Sequence, residues 1–205
     1  TRPPISPADF VRGLGRIGAW GVSFHDDDLV PPGATAAEAG KIKSDFRSAL
    51  DETGVVVSMA TTNLFWHPCF KDGAFTSNDP QVRRYAISKA LRAIDTGAEF
   101  GAPTFVFWGG REGYETLLNT NLKREQDHLA AFLHITVDSA RSINFKGLFL
   151  LEPKPNESPK QQYDFNVASG FAFLLTHWLD KYCKFTFEPN DSTLPGPTFR
   201  HAIEF

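Results

Sequence analysis

Apolar residues crowd into five short runs down the chain: "GVSFHDDD" at 21–28, "VVVSMATT" at 55–62, "TFVFWGG" at 104–110, "LFLLEPK" at 148–154 and "FTFEPND" at 185–191. Their β-branched and aromatic content predicts strands. Several are apolar at consecutive positions, the pattern of parallel strands covered on both faces. Between them the apolar period lengthens to that of a helix. Residues 35–53 set Ala39, Ile42, Phe46 and Leu50 on one stripe; 79–99 follow the cap signal "SNDP"; 122–143 carry Leu129, Phe132, Leu133 and Val137; 163–178 carry Phe165, Ala168, Phe171 and Leu175. These predict four helices, and a last one starts near Thr198.

The strand ends fall near residues 25, 61, 108, 152 and 188. Such a repeat is a βα unit, and right-handed crossovers place its strands in one parallel sheet. A doubly wound sheet and a (β/α)8 barrel both satisfy it. No glycine-rich nucleotide loop follows the first strand, and "GLGRIG" at 13–18 precedes that strand instead, which favours the barrel. With five or six units legible, residues 1–205 are expected to form a single partial TIM-barrel domain, without its first unit and its last ones.

Composition narrows the class. A chain of 205 residues is long enough for one sizeable core. The net charge of −3 gives no help toward nucleic acid or an anionic membrane. No run reaches a membrane span and no signal peptide is visible, so a soluble cytoplasmic domain is expected. Cys69 and Cys183 match no metal spacing and read as reduced thiols, a disulfide being unsupported. The triplets at Asn156 and Asn190 read as chance matches to a glycosylation signal.

Every predicted strand exits into polar groups: His25 with Asp26 to Asp28; Thr61, Thr62 and Asn63, then Phe65 and His67; Trp108, Arg111 and Glu112; Glu152, Lys154 and Asn156; Glu188, Asn190 and Asp191. In a barrel these ends meet at one rim, where active sites sit. Glu152 and Lys154 share a face if the strand continues to Lys154. They form a salt bridge, or else a metal ligand beside a cation that holds a substrate oxygen. Glu188 supplies a second carboxylate, and hard oxygen ligands suit magnesium or manganese. His25 and Asp28 are spaced for a carboxylate to orient an imidazole. Trp108 and Phe65 wall a pocket or plug the rim.

The strings "FHDDDL" (24–29), "MATTNLF" (59–65), "HPCFKDGAFTSND" (67–79), "WGGREG" (108–113) and "EPKPNE" (152–157) resemble the xylose isomerases. Up to about residue 107 the resemblance is to the shorter class of that family, and from Trp108 onward to the longer class. It implies a (β/α)8 barrel, a homotetramer, and two divalent cations per subunit, Mg2+ or alternatively Mn2+ or Co2+. It implies ring opening of an aldose and a hydride shift between C1 and C2, interconverting xylose with xylulose and glucose with fructose. His25 would contact the ring oxygen with Asp28 orienting it, and Lys154 would bond the carbonyl-side oxygen. Thr61, Phe65 and Trp108 would line the sugar. Glu152 would be the first metal ligand and Glu188 the bridging one. Asp191 stands where the family has a histidine ligand. The remaining acidic ligands match positions beyond Phe205, so residues 1–205 by themselves are expected to bind metal weakly and turn nothing over. Two other readings share the barrel: a non-catalytic sugar-binding fragment, and a metal-dependent endonuclease. The latter needs a histidine-rich zinc cluster, and six scattered histidines and a negative charge oppose it.

Overall fold

A computed structural model describes residues 4–157, 160–194, 196 and 198–204. Ser158, which completes the Asn156 triplet, lies outside them. In chain order the elements are α1 (Pro7–Arg16), β1 (Gly21–His25), α2 (Asp26–Leu29), α3 (Ala36–Thr53), β2 (Val56–Thr61), α4 (Pro80–Glu99), β3 (Thr104–Trp108), α5 (Leu122–Ser142), β4 (Leu148–Glu152), β5 (Asn156–Glu157), β6 (Lys160–Gln161), α6 (Val167–Thr176), β7 (Cys183–Phe185), α7 (Pro189–Thr193) and α8 (Phe199–Glu204). Five strands form one parallel sheet in the order β1-β2-β3-β4-β7. Each strand lies beside its predecessor, with no reversal of order. That is the winding of a barrel; a doubly wound sheet reverses at a switch point. The pair β5–β6 is a separate antiparallel hairpin.

The helices begin and end where their caps dictate. Thr35 and Glu38 cap each other reciprocally at the start of α3, and Gly54 closes it at φ 72°. Asp79 accepts from the Gln81 amide ahead of Pro80 in α4. Asn121 does the same for Arg124 in α5.

The core lies between the sheet and these helices. Phe24, Phe105, Phe107, Phe149 and Leu151 point that way and are buried. Phe24 meets Phe46 of α3 edge-on at 5.9 Å, and Phe107 meets Phe132 of α5 at 5.4 Å. Much of the chain's phenylalanine is spent on this layer. The alternate strand residues Ser23, His25, Leu150 and Glu152 are exposed or half-buried. On that second face Thr61 and Val106, at the middle of the sheet, are buried, so burial on both faces holds at the centre and not at the flanking strands.

Four further features differ from the expectation. Helix α1, not foreseen, is capped by Ser6 and bound to α3 through Arg12 and Glu52 at 2.8 Å. Its "GLG" is a packing device: a Cβ on Gly15 would stand 2.8 Å from the Thr53 side chain. Strand β7 ends at Phe185, so Glu188 is not on a strand; it precedes Pro189, which opens α7. Strand β4 ends at Glu152, so Lys154 belongs to the loop beyond Pro153. Helix α6 also starts four residues later than expected, at Val167 behind its cap Asn166.

Candidate active site

The site is built by register. His25 pairs with Thr61, Thr61 with Val106, and Val106 with Leu150; one step further on, Trp108 pairs with Glu152. Alternation then turns His25, Thr61, Trp108 and Glu152 to the face opposite the helix-packed aromatics.

At the β1 exit, His25 Nδ1 lies 3.0 Å from Asp28 Oδ2, and the same oxygen accepts the His25 amide at 3.3 Å. A carboxylate on Nδ1 fixes the ring and leaves Nε2 for other work. The rings of His25 and Phe65 meet at 5.7 Å and those of Phe65 and Trp108 at 4.7 Å, forming a continuous aromatic wall. The Trp108 indole N–H is buried without a hydrogen-bond partner among the described residues. Thr61 is buried and its hydroxyl donates to the Val106 carbonyl at 2.8 Å, so the structure commits that hydrogen to the sheet.

Lys154 reaches the wall from its loop. Its ammonium is 5.5 Å from the Trp108 ring centre, 2.8 Å from Glu157 and 3.7 Å from Asp191. The Glu157 hydrogen bond, with the charges of Asp191 and Glu188 behind it, raises the ammonium above its ordinary value and favours its charged form. Glu152 is raised as well, which in a carboxyl disfavours the charged form. Burial raises its carboxyl first, then the charges of Glu188 and Asp191, against the opposing pull of Lys154 and His25. Glu188 and Asp191 thus stand near enough to Glu152 for their charges to act on it, Asp191 being buried. Their hard oxygens are suited to a magnesium-like cation. Among the described residues, no three histidines, cysteines or acids are arranged to hold a metal ion.

Behind the sheet lie charged groups whose burial the sequence did not reveal. Glu112 is buried and accepts the amides of Ala74, Phe75 and Thr76 and the Thr76 hydroxyl. Burial pushes its carboxyl up, and those donors oppose the shift. Asp164 shares with it a cavity of about 200 Å³ lined by Phe75, Phe107, Tyr163 and Phe173. Burial, with the charges of Glu112 and Glu152, raises Asp164 to about 7. Just past the end of β1, Lys89 of α4 is buried against Asp26 and Asp27.

This arrangement belongs to a known family. Residues 11–205 match the model of the Xylose isomerase-like TIM barrel family, and the chain is a member of it. The sheet is a run of successive staves of that barrel. Among curated relatives, the xylose isomerase of Halalkalibacterium halodurans is 47% identical over 184 residues, 88% of this chain and 42% of that protein. The xylose isomerase of Thermotoga neapolitana is 46% identical over 184 residues, 88% of this chain and 41% of that protein. The chain thus spans about two-fifths of the length of these relatives. Among solved structures, an apo 3-keto-D-glucoside 4-epimerase of E. coli superposes with a TM-score of 0.75 at 15% identity, covering 98% of this chain and 70% of that one. A Xylose isomerase-like TIM barrel protein of Mycobacterium smegmatis in complex with magnesium gives 0.58 at 17% identity, covering 87% and 55%. At such identities these two show the fold alone.

Proposed function

We propose that this chain carries part of the active site of a metal-dependent aldose–ketose isomerase acting on xylose, and on glucose by the same chemistry. The observation that supports it most is the convergence at one rim of His25–Asp28, the Phe65–Trp108 wall, Lys154 and the carboxyls of Glu152, Glu188 and Asp191. In this reading His25, oriented by Asp28 through Nδ1, presents Nε2 to the sugar ring oxygen and relays the proton of ring opening. Lys154 donates to the carbonyl-side oxygen where negative charge develops between C1 and C2. Phe65 and Trp108 stack on the sugar and keep water from the open chain. Thr61 lines the wall through its methyl group, its hydroxyl hydrogen being engaged. Glu152, Glu188 and Asp191 would hold divalent cations, magnesium, manganese or cobalt, which supply Lewis acidity toward the substrate's oxygens.

A cytoplasmic homotetramer is part of the same reading. It agrees with two unpaired cysteines, Cys69 and Cys183, and with apolar surface at Trp20, Trp66 and Trp178. Among the described residues no helix is long and apolar enough to cross a membrane.

The test is turnover by the protein carrying this chain. Xylulose should form from xylose with magnesium, stop on chelation and return on adding the metal back. Lys154→Met should lower kcat by about a hundredfold or more, the scale of losing one donor to a developing oxyanion. Turnover indifferent to chelator, or a Lys154→Met enzyme with unchanged kcat, would overturn the reading.

A further inference from the structure

We propose that Lys89 is a positioning residue for both His25 and Phe65; the proposal rests on the functional reading above, to which it adds a second layer of control. Lys89 sits on α4, far from the rim in sequence, and is buried. Its ammonium donates to Asp26 and, at 2.6 Å, to Asp27 Oδ1. These are the first two residues of the α2 turn, and the third, Asp28, holds the His25 ring.

The second arm runs through Asp26. Its other oxygen, Oδ1, accepts the Asn63 amide at 2.8 Å. The Asn63 side-chain oxygen in turn accepts the amides of Phe65 at 3.3 Å and Trp66 at 3.0 Å. One buried ammonium thereby fixes the exits of two neighbouring strands, and with them the 5.7 Å contact between the His25 and Phe65 rings.

The electrostatics demand such a counter-charge. Asp26 and Asp27 are adjacent carboxyls in partly dry surroundings, and burial raises Asp26 even with Lys89 present. The cavity they border also carries Lys43, Arg92 and Asp95. Lys43 is held by Glu99 and Thr96, and Arg92 donates to the Ser88 hydroxyl. Only Lys89 bonds both aspartates among the described residues. Removing a buried partner leaves its opposite charge uncompensated. Asp26 and Asp27 must then move toward water, and the α2 turn moves with them.

The experiment reads the ligand-free protein, so that its outcome is separate from turnover. Nitrogen-15 NMR at a pH where the imidazole is neutral reports which His25 nitrogen bears the proton. The wild type should hold it on Nδ1, facing Asp28. Lys89→Met should shift the population toward Nε2–H and displace the Asn63 and Phe65 amide signals. Lys89→Arg should restore both. Leu133→Ala, a cavity in α5 remote from the turn, should destabilise the fold without moving the His25 signals. The proposal is overturned by folded Lys89→Met with wild-type His25 and Phe65 signals, or by Leu133→Ala displacing them equally. If Lys89→Met does not fold, Asp26→Asn keeps an acceptor for Asn63 but loses the Lys89–Asp26 ion pair, the one to Asp27 remaining. It should shift His25 in the same direction, and wild-type signals in that variant would equally overturn the proposal.

Discussion

Asp164 offers a direct reading of what the interior costs this protein. It shares the cavity behind β3 with Glu112, and burial is the main cause that lifts its carboxyl to about 7 from an ordinary 3.8. Between those two values the folded protein holds a proton that the unfolded chain has released. Stability must therefore fall as pH rises from about 4 to about 7 and stay low above that. At about 1.36 kcal/mol per tenfold change, the gap amounts to about 4 kcal/mol. Asp164 is half-buried, and solvent screening brings the expectation nearer 2 kcal/mol. Asp164→Asn removes the titration and keeps the shape. Urea unfolding of both proteins at half-unit steps between pH 4 and 8 checks it. The variant should gain about 2 kcal/mol over wild type at pH 8 relative to their difference at pH 4. Glu112 and Glu152 act on the Asp164 charge, so the difference reads Asp164 together with its coupling to them. Two curves running parallel across that range would refute the reasoning.

Two other outcomes follow from the same region. Glu112→Gln exchanges one acceptor oxygen for an amide nitrogen, leaving at least one buried donor among Ala74, Phe75 and Thr76 unpaired; the expected loss is about 2 kcal/mol by urea unfolding, and an unchanged midpoint would contradict it. Gly113 has φ +136°, and a Cβ there would meet the Gln161 carbonyl oxygen at 2.1 Å, where Tyr114 and Gln161 exchange hydrogen bonds. Gly113→Ala should cost about 2 kcal/mol or more and accelerate amide exchange at Tyr114 and Gln161.

Local chemistry made much of the fold readable. Thr35 with Glu38, and Asp79 ahead of Pro80, mark helix starts that the structure reproduces. Four of the recurring apolar runs coincide with parallel strands, whereas the fifth strand ends at Phe185, where the fifth run begins; the absence of a nucleotide loop pointed to the barrel that the family match bears out. Elsewhere packing overruled the pattern. Two glycines hid α1, because the space that Gly15 leaves is taken by Thr53, a neighbour distant in sequence. The aromatic alternation of "FTFEPND" mimics a strand, yet Pro189 starts a helix there. At the site, Glu152 stands at a strand end as its position after an apolar run suggested, but the loop that brings Lys154 over Trp108 and the helix cap at Glu188 were not legible. Lys89 and Asp164 stand in ordinary helical and loop text. Their burial is a product of tertiary contacts 62 residues away for Lys89–Asp27, which no local signal encodes.

The central claim is that Glu152 and Glu188 share a divalent cation within reach of Lys154. Manganese titration of the protein carrying this chain, followed by electron paramagnetic resonance, tests it most directly. Glu152→Gln and Glu188→Gln should each weaken manganese binding at least tenfold, while Glu115→Gln, an exposed acid on another loop, should leave it unchanged. Undiminished manganese affinity in both site variants would contradict the account.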